Sequence, residues 1–191
     1  MRAEDVMNAL DIAIICHKGQ LRKGTKIPYI KHIIDVYEIL REQNLRNEVL
    51  IIGILHDTIE DTNLNLYEVR AMFGDYVADG VAIESEDKTI KDYDERKKEH
   101  LDRVIQSSPE IQMVNCADKL ANLRDMINDY NEKGEDLFKR FRNGKYGVLK
   151  YYNYAVKNYT IKDSPIYQMF RIEFKEFLKQ IENGLTKDVI V

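Results

Sequence analysis

Hydrophobic residues recur every three or four positions along most of the chain, which is the period of amphipathic α-helices. The pattern is clear in residues 4–18 and 28–40, where apolar and charged positions share each turn. Residues 49–55 are apolar or glycine throughout and predict a helical segment that is buried on all sides. Strict alternation of the kind found in β-strands does not occur. The pattern therefore predicts an all-α protein.

Glycine, proline and capping residues divide this pattern into about eight to ten helices. The predicted helix ends are Gly19, Gly74 and Gly134, and the predicted starts are Pro28, Ser108-Pro109 and Ser164-Pro165. The polar run 84–94 predicts an exposed loop, and residues 95–106 predict a strongly charged surface helix. We expect neither segment to belong to the core.

The chain of 191 residues is long enough for one substantial domain. We interpret residues 1–191 as a single domain, with a core over 3–130 and a C-terminal helical extension over 135–184. The last helix is expected to end near Gly184.

Composition narrows the class of partner. The formal net charge is −4, from 29 basic and 33 acidic residues, so no general basic field would recruit nucleic acid. The N-terminus lacks a signal-like pattern, and no apolar run approaches the ~20 residues of a membrane span. We expect a cytoplasmic protein that binds neither nucleic acid nor a membrane.

The most unusual stretch is 56–61, His-Asp-Thr-Ile-Glu-Asp, directly after the apolar run. If the helix continues through it, His56 shares a face with Glu60 and Asp57 shares one with Asp61, because residues four apart are neighbours. Three carboxylates beside an imidazole at the end of a core helix would repel one another unless a cation or a water-filled cleft received them. The stretch therefore predicts a functional site.

Other acceptors in apolar helical surroundings extend this set. His32 lies near the start of the second helix, and Asp118 interrupts a buried stripe of the central helix. With His56 and Asp57 they offer imidazole and carboxylate ligands, which suit a divalent transition ion. We favour Mn2+, with Fe2+ or another divalent ion as the alternative. Such an ion lowers the pKa of a bound water and holds a phosphate oxygen, as phosphoester hydrolysis requires.

Glu60 and Asp61 remain beyond the predicted ligands. A carboxylate near a metal-bound water takes its proton or orients it, so these two are the candidate general base and water-positioning group, in either order. A phosphorylated substrate also needs cations in so acidic a site. Arg22 and Lys23 are the nearest candidates in sequence. Weaker candidates are Lys88, Lys97 and Lys98.

These residues carry a resemblance to a known family. Residues 13–19, 22–24, 28–32, 55–62, 73–74, 87–88 and 117–125 resemble the HD-superfamily hydrolase domain of the RelA/SpoT alarmone enzymes, especially the free-standing small alarmone hydrolases. The resemblance runs in order over about residues 5–130. Its H…HDxxED…D pattern is far more specific than a His-Asp dipeptide.

The resemblance implies an all-α HD-domain helical bundle and a manganese-dependent removal of pyrophosphate from the 3′ position of guanosine tetraphosphate or pentaphosphate. By motif position, it makes His32, His56, Asp57 and Asp118 the metal ligands and Glu60 with Asp61 the catalytic pair. It also implies that Arg22 and Lys23 contact the nucleotide and that Asn122 lines the pocket. No synthetase region follows, so alarmone synthesis is not expected.

The C-terminal part is closer to a looser group of single-domain HD phosphohydrolases. In this part, Lys145, Tyr146, Tyr151 and Tyr152 are candidates to close the pocket over a base or phosphate, although a tyrosine stripe also serves as packing. His17 and His100 are expected to have surface or packing roles.

Two alternatives stay open at this point. One is an HD phosphohydrolase that acts on another phosphorylated nucleotide, such as NADPH or a nucleoside phosphate. The other is a helical module that binds a nucleotide without hydrolysing it; such a module is expected to have lost Glu60, Asp61 or a ligand, and all are present.

Overall fold

The computed structural model describes residues 1–182 as α-helices joined by short loops. The elements are α1 (Ala3–Cys16), α2 (Ile30–Arg41), α3 (Asn47–Leu55), α4 (Thr58–Asp61), α5 (Leu66–Glu84), α6 (Tyr93–Gln106), α7 (Pro109–Lys133), a 3-10 helix (Gly134–Arg140), α8 (Gly144–Asn158) and α9 (Pro165–Glu182). Within these residues, the only β-pairing is an isolated bridge between Leu21 and Pro28. The all-α prediction is confirmed. The predicted end of the last helix near Gly184 lies outside the described residues.

Helix α3 is the centre of the core. Every residue from Val49 to Leu55 is buried, because the segment has no polar face to offer solvent. The helix packs against α1, α2, α5 and α7. Gly53 allows the close approach of α2, since a Cβ atom at this position would overlap the Cδ1 atom of Leu40.

Helix α7 is the longest element, with 25 residues, and it packs on α2, α3 and α9. Ser108 caps its N-terminus by accepting a hydrogen bond from the Ile111 amide at 3.4 Å, and Pro109 occupies the first turn. The helix ends at Gly134, whose φ of 56° suits glycine. The predicted start and end of this helix are confirmed. Because α2, α3 and α7 are in mutual contact, residues distant in sequence meet between them.

Helix α3 does not continue through the 56–61 motif. It ends at Leu55, and α4 begins at Thr58. The Thr58 hydroxyl donates to the Leu55 carbonyl at 2.6 Å, and His56 Nδ1 donates to the Gly53 carbonyl at 2.7 Å. Side chains thus occupy carbonyls that a continuous helix would use. The expectation of two side-chain columns on one straight helix is corrected to a bend that directs His56 and Asp57 separately.

Parts of the polar segments 84–94 and 95–106 are more buried than the sequence predicts. Glu84, at the end of α5, is buried, and so are His100, Leu101 and Val104 on α6. These α6 positions are spaced to form one stripe, and the helix packs on α5, α7 and α8. The expectation that 84–94 and 95–106 lie outside the core is therefore wrong for one face of α6 and for Glu84.

The C-terminal helices cover the other side of α7. Helix α9 packs directly on α7, and α8 contacts α6 and α9. Tyr152 of α8 lies 5.8 Å from Phe170 and 5.7 Å from Phe174 between ring centroids. Aromatic packing of this kind fixes α8 against α9. In residues 1–182, no helix combines the length and the apolar character needed to cross a membrane.

We predict that Gly53→Ala destabilises the protein. The added methyl group would overlap Leu40, and overpacking of this kind typically lowers the free energy of unfolding by about 1–3 kcal/mol. Urea denaturation measures the change. In a double-mutant cycle with Leu40→Ala, the destabilisation of the double mutant should be smaller than the sum of the two single-mutant destabilisations, because Leu40→Ala removes the overlapping atom. A Gly53→Ala protein as stable as the wild type would contradict the proposed close approach of α2 and α3.

Candidate metal and catalytic site

Three buried side chains from different helices converge between α2, α3 and α7. His32 Nε2 lies 3.1 Å from Asp118 Oδ1, and His56 Nε2 lies 3.8 Å from the same oxygen. One potential ligand atom from each of His32, His56 and Asp118 lies within 4.8 Å of the other two. Such a cluster has the size of a single ion's coordination shell.

Asp57 presents a carboxylate oxygen to the same point. Its Oδ2 atom lies 2.9 Å from His56 Nε2 and 3.6 Å from His32 Nε2. The four residues that the sequence suggested as ligands therefore lie together, although Asp57 is not part of the tighter three-residue cluster.

The orientation of His56 tests whether these residues fit a cation. Its Nδ1 faces the Gly53 carbonyl, which can only accept, so Nδ1 carries a proton. Its Nε2 is buried without a hydrogen-bond partner, although it faces the Asp57 carboxylate. A nitrogen lone pair directed at carboxylate oxygens is favourable only with a cation between them. An imidazole with its other nitrogen bound to a backbone carbonyl is also a typical metal ligand.

Electrostatics point the same way. Burial alone would lower the pKa of His56, but the adjacent Asp57 and Asp118 carboxylates raise it to about 10, so without a metal ion the ring carries a proton on Nε2 that faces Asp57. A divalent ion bound here would take the place of that proton. Burial would raise the pKa of Asp118, yet Lys119 and the imidazoles of His32 and His56 keep it well below its usual range. The carboxylate of Asp118 thus stays ionised at neutral pH. Two imidazoles and two carboxylates fit a divalent metal ion, and we conclude that these residues can hold one.

A hydrogen-bond chain links the site to Arg22. Asn122 Nδ2 donates to Asp118 Oδ1 at 2.5 Å, and Arg22 donates to Asn122 Oδ1 at 2.5 Å and to Asp125 at 3.0 Å. The guanidinium group is therefore fixed at one side of the candidate metal ligands. Lys23 lines the same cavity.

Glu60 and Asp61 lie on the short α4 helix and line the cavity as well. Burial and the nearby Glu86 raise the pKa of Glu60, whereas burial and Asp57 raise the pKa of Asp61. Glu60 Oε2 accepts a hydrogen bond from the Glu86 amide at 3.2 Å, which fixes its position. A carboxylate whose pKa is raised accepts a proton more readily, so both groups suit proton transfer.

The cavity has a volume of about 1500 Å³. Of the weaker substrate-binding candidates, Tyr152 lines it, but Lys88 and Lys145 are not among its lining residues. Lys88 Nζ instead donates to the Glu60 carbonyl at 2.5 Å, and Lys145 donates to Glu135 at 2.5 Å. Both lysines are thus absent from the cavity lining, and their ammonium groups bond to the protein itself.

Tyr29 is a site residue that the sequence analysis did not single out. Its hydroxyl donates to Asp57 Oδ2 at 2.5 Å, and its ring lies edge-on to His32 with 5.7 Å between centroids. His17 stacks on the opposite side at 4.8 Å and is buried, so its role is not at the surface but in packing against Tyr29. The signal available in the sequence was the position of Tyr29 three residues before His32, one helical turn away.

Comparison with known proteins identifies the family of this chain. The family model described as HD domain matches residues 9–148. Among curated proteins, the chain is 38% identical over 127 residues to guanosine-3′,5′-bis(diphosphate) 3′-pyrophosphohydrolase MESH1 of Mus musculus, covering 65% of this chain and 70% of that protein. It is 35% identical over 136 residues to GTP pyrophosphokinase of Streptomyces coelicolor, covering 68% of this chain but 16% of that protein.

Solved structures show the same relationship. A structure described as a metazoan ortholog of SpoT that hydrolyzes ppGpp superposes with a TM-score of 0.77 at 25% identity, covering 93% of this chain and 97% of that one. The protein lmo0812 from Listeria monocytogenes EGD-e superposes with a TM-score of 0.71 at 31% identity, covering 80% and 96%.

The chain belongs to the HD domain family. Family and fold together define a metal-dependent phosphohydrolase, and the resemblance to the RelA/SpoT-type hydrolases is confirmed.

We predict that Tyr29→Phe weakens the binding of Mn2+ about 10-fold, because loss of an outer hydrogen bond to a ligand typically reduces metal affinity 10-fold to 100-fold. Isothermal titration calorimetry on metal-free protein measures the dissociation constant. Tyr167→Phe is the matched control, since its buried hydroxyl donates to the Val156 carbonyl at 2.9 Å instead of to a ligand. Equal Mn2+ affinity in Tyr29→Phe and the wild type would show that the Asp57 contact does not orient the site.

Proposed function

We propose that this protein removes pyrophosphate from the 3′ position of guanosine 3′,5′-bis(diphosphate) and its pentaphosphate analogue. The observation that carries the proposal is the convergence of His32, His56, Asp57 and Asp118 around one point. The activity named for MESH1, to which the chain is 38% identical, supports this choice of substrate.

Within this proposal, His32, His56, Asp57 and Asp118 are the metal ligands and Mn2+ is the native ion. Mixed nitrogen and oxygen ligands favour manganese or ferrous iron over a closed structural zinc site. When bound, the ion would lower the pKa of a water molecule and polarise a phosphoryl oxygen.

Glu60 and Asp61 are the proposed catalytic pair. One accepts the proton of the attacking water and the other orients that water, and their raised pKa values suit both tasks. Their place on α4 follows from the bend after Leu55, which brings the start of the helix to the ligands.

Arg22, Lys23 and Asn122 are the proposed nucleotide contacts. The guanidinium of Arg22 is held by Asn122 and Asp125 and lies 5.5 Å from the centroid of the Tyr29 ring. A guanidinium fixed in this way can bind phosphate through two parallel hydrogen bonds. Tyr152 forms part of the pocket wall. Lys88 and Lys145 are weaker candidates for nucleotide contacts, because their ammonium groups already bond to Glu60 and Glu135.

We further propose that residues 3–130 and the extension 135–184 act as one HD-type domain. The packing of α9 on α7 supports a single domain, because the extension covers the helix that carries Asp118. We propose a cytoplasmic location, because phosphorylated nucleotide substrates are available there.

A specific observation favours testing a second substrate class. The cavity of about 1500 Å³ is larger than the ~300–1,000 Å³ of common small-molecule sites, so a dinucleotide such as NADPH would also fit. The non-catalytic alternative is less consistent with the site, since Glu60 and Asp61 both lie in the cavity.

We predict that the purified protein with Mn2+ releases pyrophosphate and GDP from guanosine tetraphosphate. His56→Ala should lose both Mn2+ binding and turnover. Glu60→Gln should still bind Mn2+ but lose turnover by about 100-fold or more, because general-base catalysis typically contributes 10²–10⁴-fold. Product chromatography and calorimetry measure the two properties separately.

Glu176→Gln is the control for the charge change, because Glu176 is exposed on α9. A parallel assay with NADPH that measures phosphate release separates the two substrate classes. If the protein hydrolyses NADPH but not guanosine tetraphosphate, then NADPH replaces the alarmone as the proposed substrate. The absence of turnover with either substrate, despite Mn2+ binding, would favour the binding-module alternative.

A further inference from the structure

The cavity has a second polar region behind Asp118, which neither the metal ligands nor the catalytic pair explain. We call it the inner chamber and define it by Lys97 and His100 of α6, Lys119 of α7 and Tyr151 of α8. All four line the cavity. The His100 ring nitrogens and the Tyr151 hydroxyl are buried without a hydrogen-bond partner in the described structure. Because buried polar groups are normally satisfied, such a concentration indicates a ligand or ordered water.

Two ammonium groups face this chamber. Lys119 Nζ donates to Asp118 Oδ2 at 2.5 Å, and Lys97 pairs with Glu86. The two nitrogens lie 5.5 Å and 5.9 Å from the centroid of the Tyr151 ring, so they flank the same side chain. An ammonium group has three donors. Within residues 1–182, each of these ammonium groups pairs with one carboxylate, so each lysine has further N–H donors for a ligand.

His100 adds a neutral donor. Burial and the two adjacent lysines lower its pKa to about 3, so the ring is uncharged at neutral pH. A neutral imidazole carries one N–H group. Lys97, Lys119, His100 and the Tyr151 hydroxyl together offer more donors than acceptors, and two of the groups are cationic. This combination suits the oxygens of a phosphate group.

The acidic walls of the chamber do not oppose this assignment. Glu86 is already paired with Lys97 and with Arg96 at 2.8 Å. Glu84 is held by Asn115 at 2.7 Å, and burial raises its pKa to about 7. At neutral pH this carboxyl group is partly protonated, and its protonated form donates a hydrogen bond to an anion instead of repelling it.

Asp118 connects the chamber to the metal ligands. Its Oδ1 faces His32 Nε2 at 3.1 Å, while its Oδ2 accepts from Lys119. A group bound among the proposed ligands is therefore one carboxylate away from the Lys119 ammonium group, and Lys97 contacts the same Tyr151 ring as Lys119. A diphosphate has two phosphoryl groups joined by one bridging oxygen, which matches two adjacent sites of this kind.

We propose that the inner chamber binds the distal phosphate of the substrate's diphosphate group while the proximal phosphate lies at the metal ligands. This inference rests on the proposed function. In that reaction, water adds to the proximal phosphorus, the bond from phosphorus to the 3′ oxygen breaks, and the 3′ oxygen takes up a proton. The released pyrophosphate then still occupies both sites, so the chamber is also a product site.

Binding of inorganic pyrophosphate and inorganic phosphate to the Mn2+-loaded protein tests the proposal by calorimetry. We expect pyrophosphate to bind at least 10-fold more tightly than phosphate. His100→Gln and Lys97→Gln should each weaken pyrophosphate binding about 10-fold and leave phosphate binding unchanged. Lys175→Gln, at an exposed position of α9, is the control for loss of a positive charge.

Tyr151→Phe provides a variant that does not depend on the stability of the α6 substitutions, because the hydroxyl it removes has no partner. It should lower pyrophosphate affinity several-fold without changing the melting temperature. The same variants should raise KM for guanosine tetraphosphate but not for the analogue with a single 3′ phosphate.

The outcomes separate this inference from the proposed function. Equal affinities for phosphate and pyrophosphate, unchanged in all three variants, would overturn the inner chamber even if the alarmone is hydrolysed. Preferential pyrophosphate binding that the variants abolish supports the chamber even if the alarmone is not the substrate.

Discussion

The structure depends on the meeting of two imidazoles and two carboxylates at a buried crossing of helices. His32, His56 and Asp118 are almost inaccessible to solvent, and Asp57 faces both imidazoles. Burying such groups is unfavourable unless each charge has a counter-charge and each polar atom a partner. Lys119, Asn122 and Tyr29 supply part of this compensation. A divalent cation would supply the remainder.

The fold makes this arrangement precise because the candidate ligands lie on packed helices or directly after the end of one. Helix α3 is apolar on every side and is enclosed by four other helices, so the position of its C-terminal end is determined by core packing. His56 and Asp57 follow that end directly. Helices α2 and α7 contribute His32 and Asp118 from the same packed layer. A site built on helices in this way holds its geometry better than one built on loops.

Much of this was accessible from the sequence, for a definite physical reason. Helical periodicity and the capping residues Ser108 and Pro109 report local preferences, which the structure keeps. The candidate ligands were recognisable because polar groups such as Asp118 interrupt apolar stripes. Features that depend on tertiary contacts were not accessible. The bend after Leu55 comes from side-chain hydrogen bonds to carbonyls. The burial of His100 comes from the packing of α5, α7 and α8 on α6, a helix that looks strongly charged in sequence.

We propose that His32, His56, Asp57 and Asp118 bind one divalent ion. X-ray diffraction from crystals grown with Mn2+, with data collected at the manganese absorption edge, would locate this ion. We expect one anomalous peak between the four side chains, about 2.0–2.3 Å from His32 Nε2, His56 Nε2 and an oxygen of each aspartate. A fully occupied peak elsewhere, with none between these residues, would contradict it.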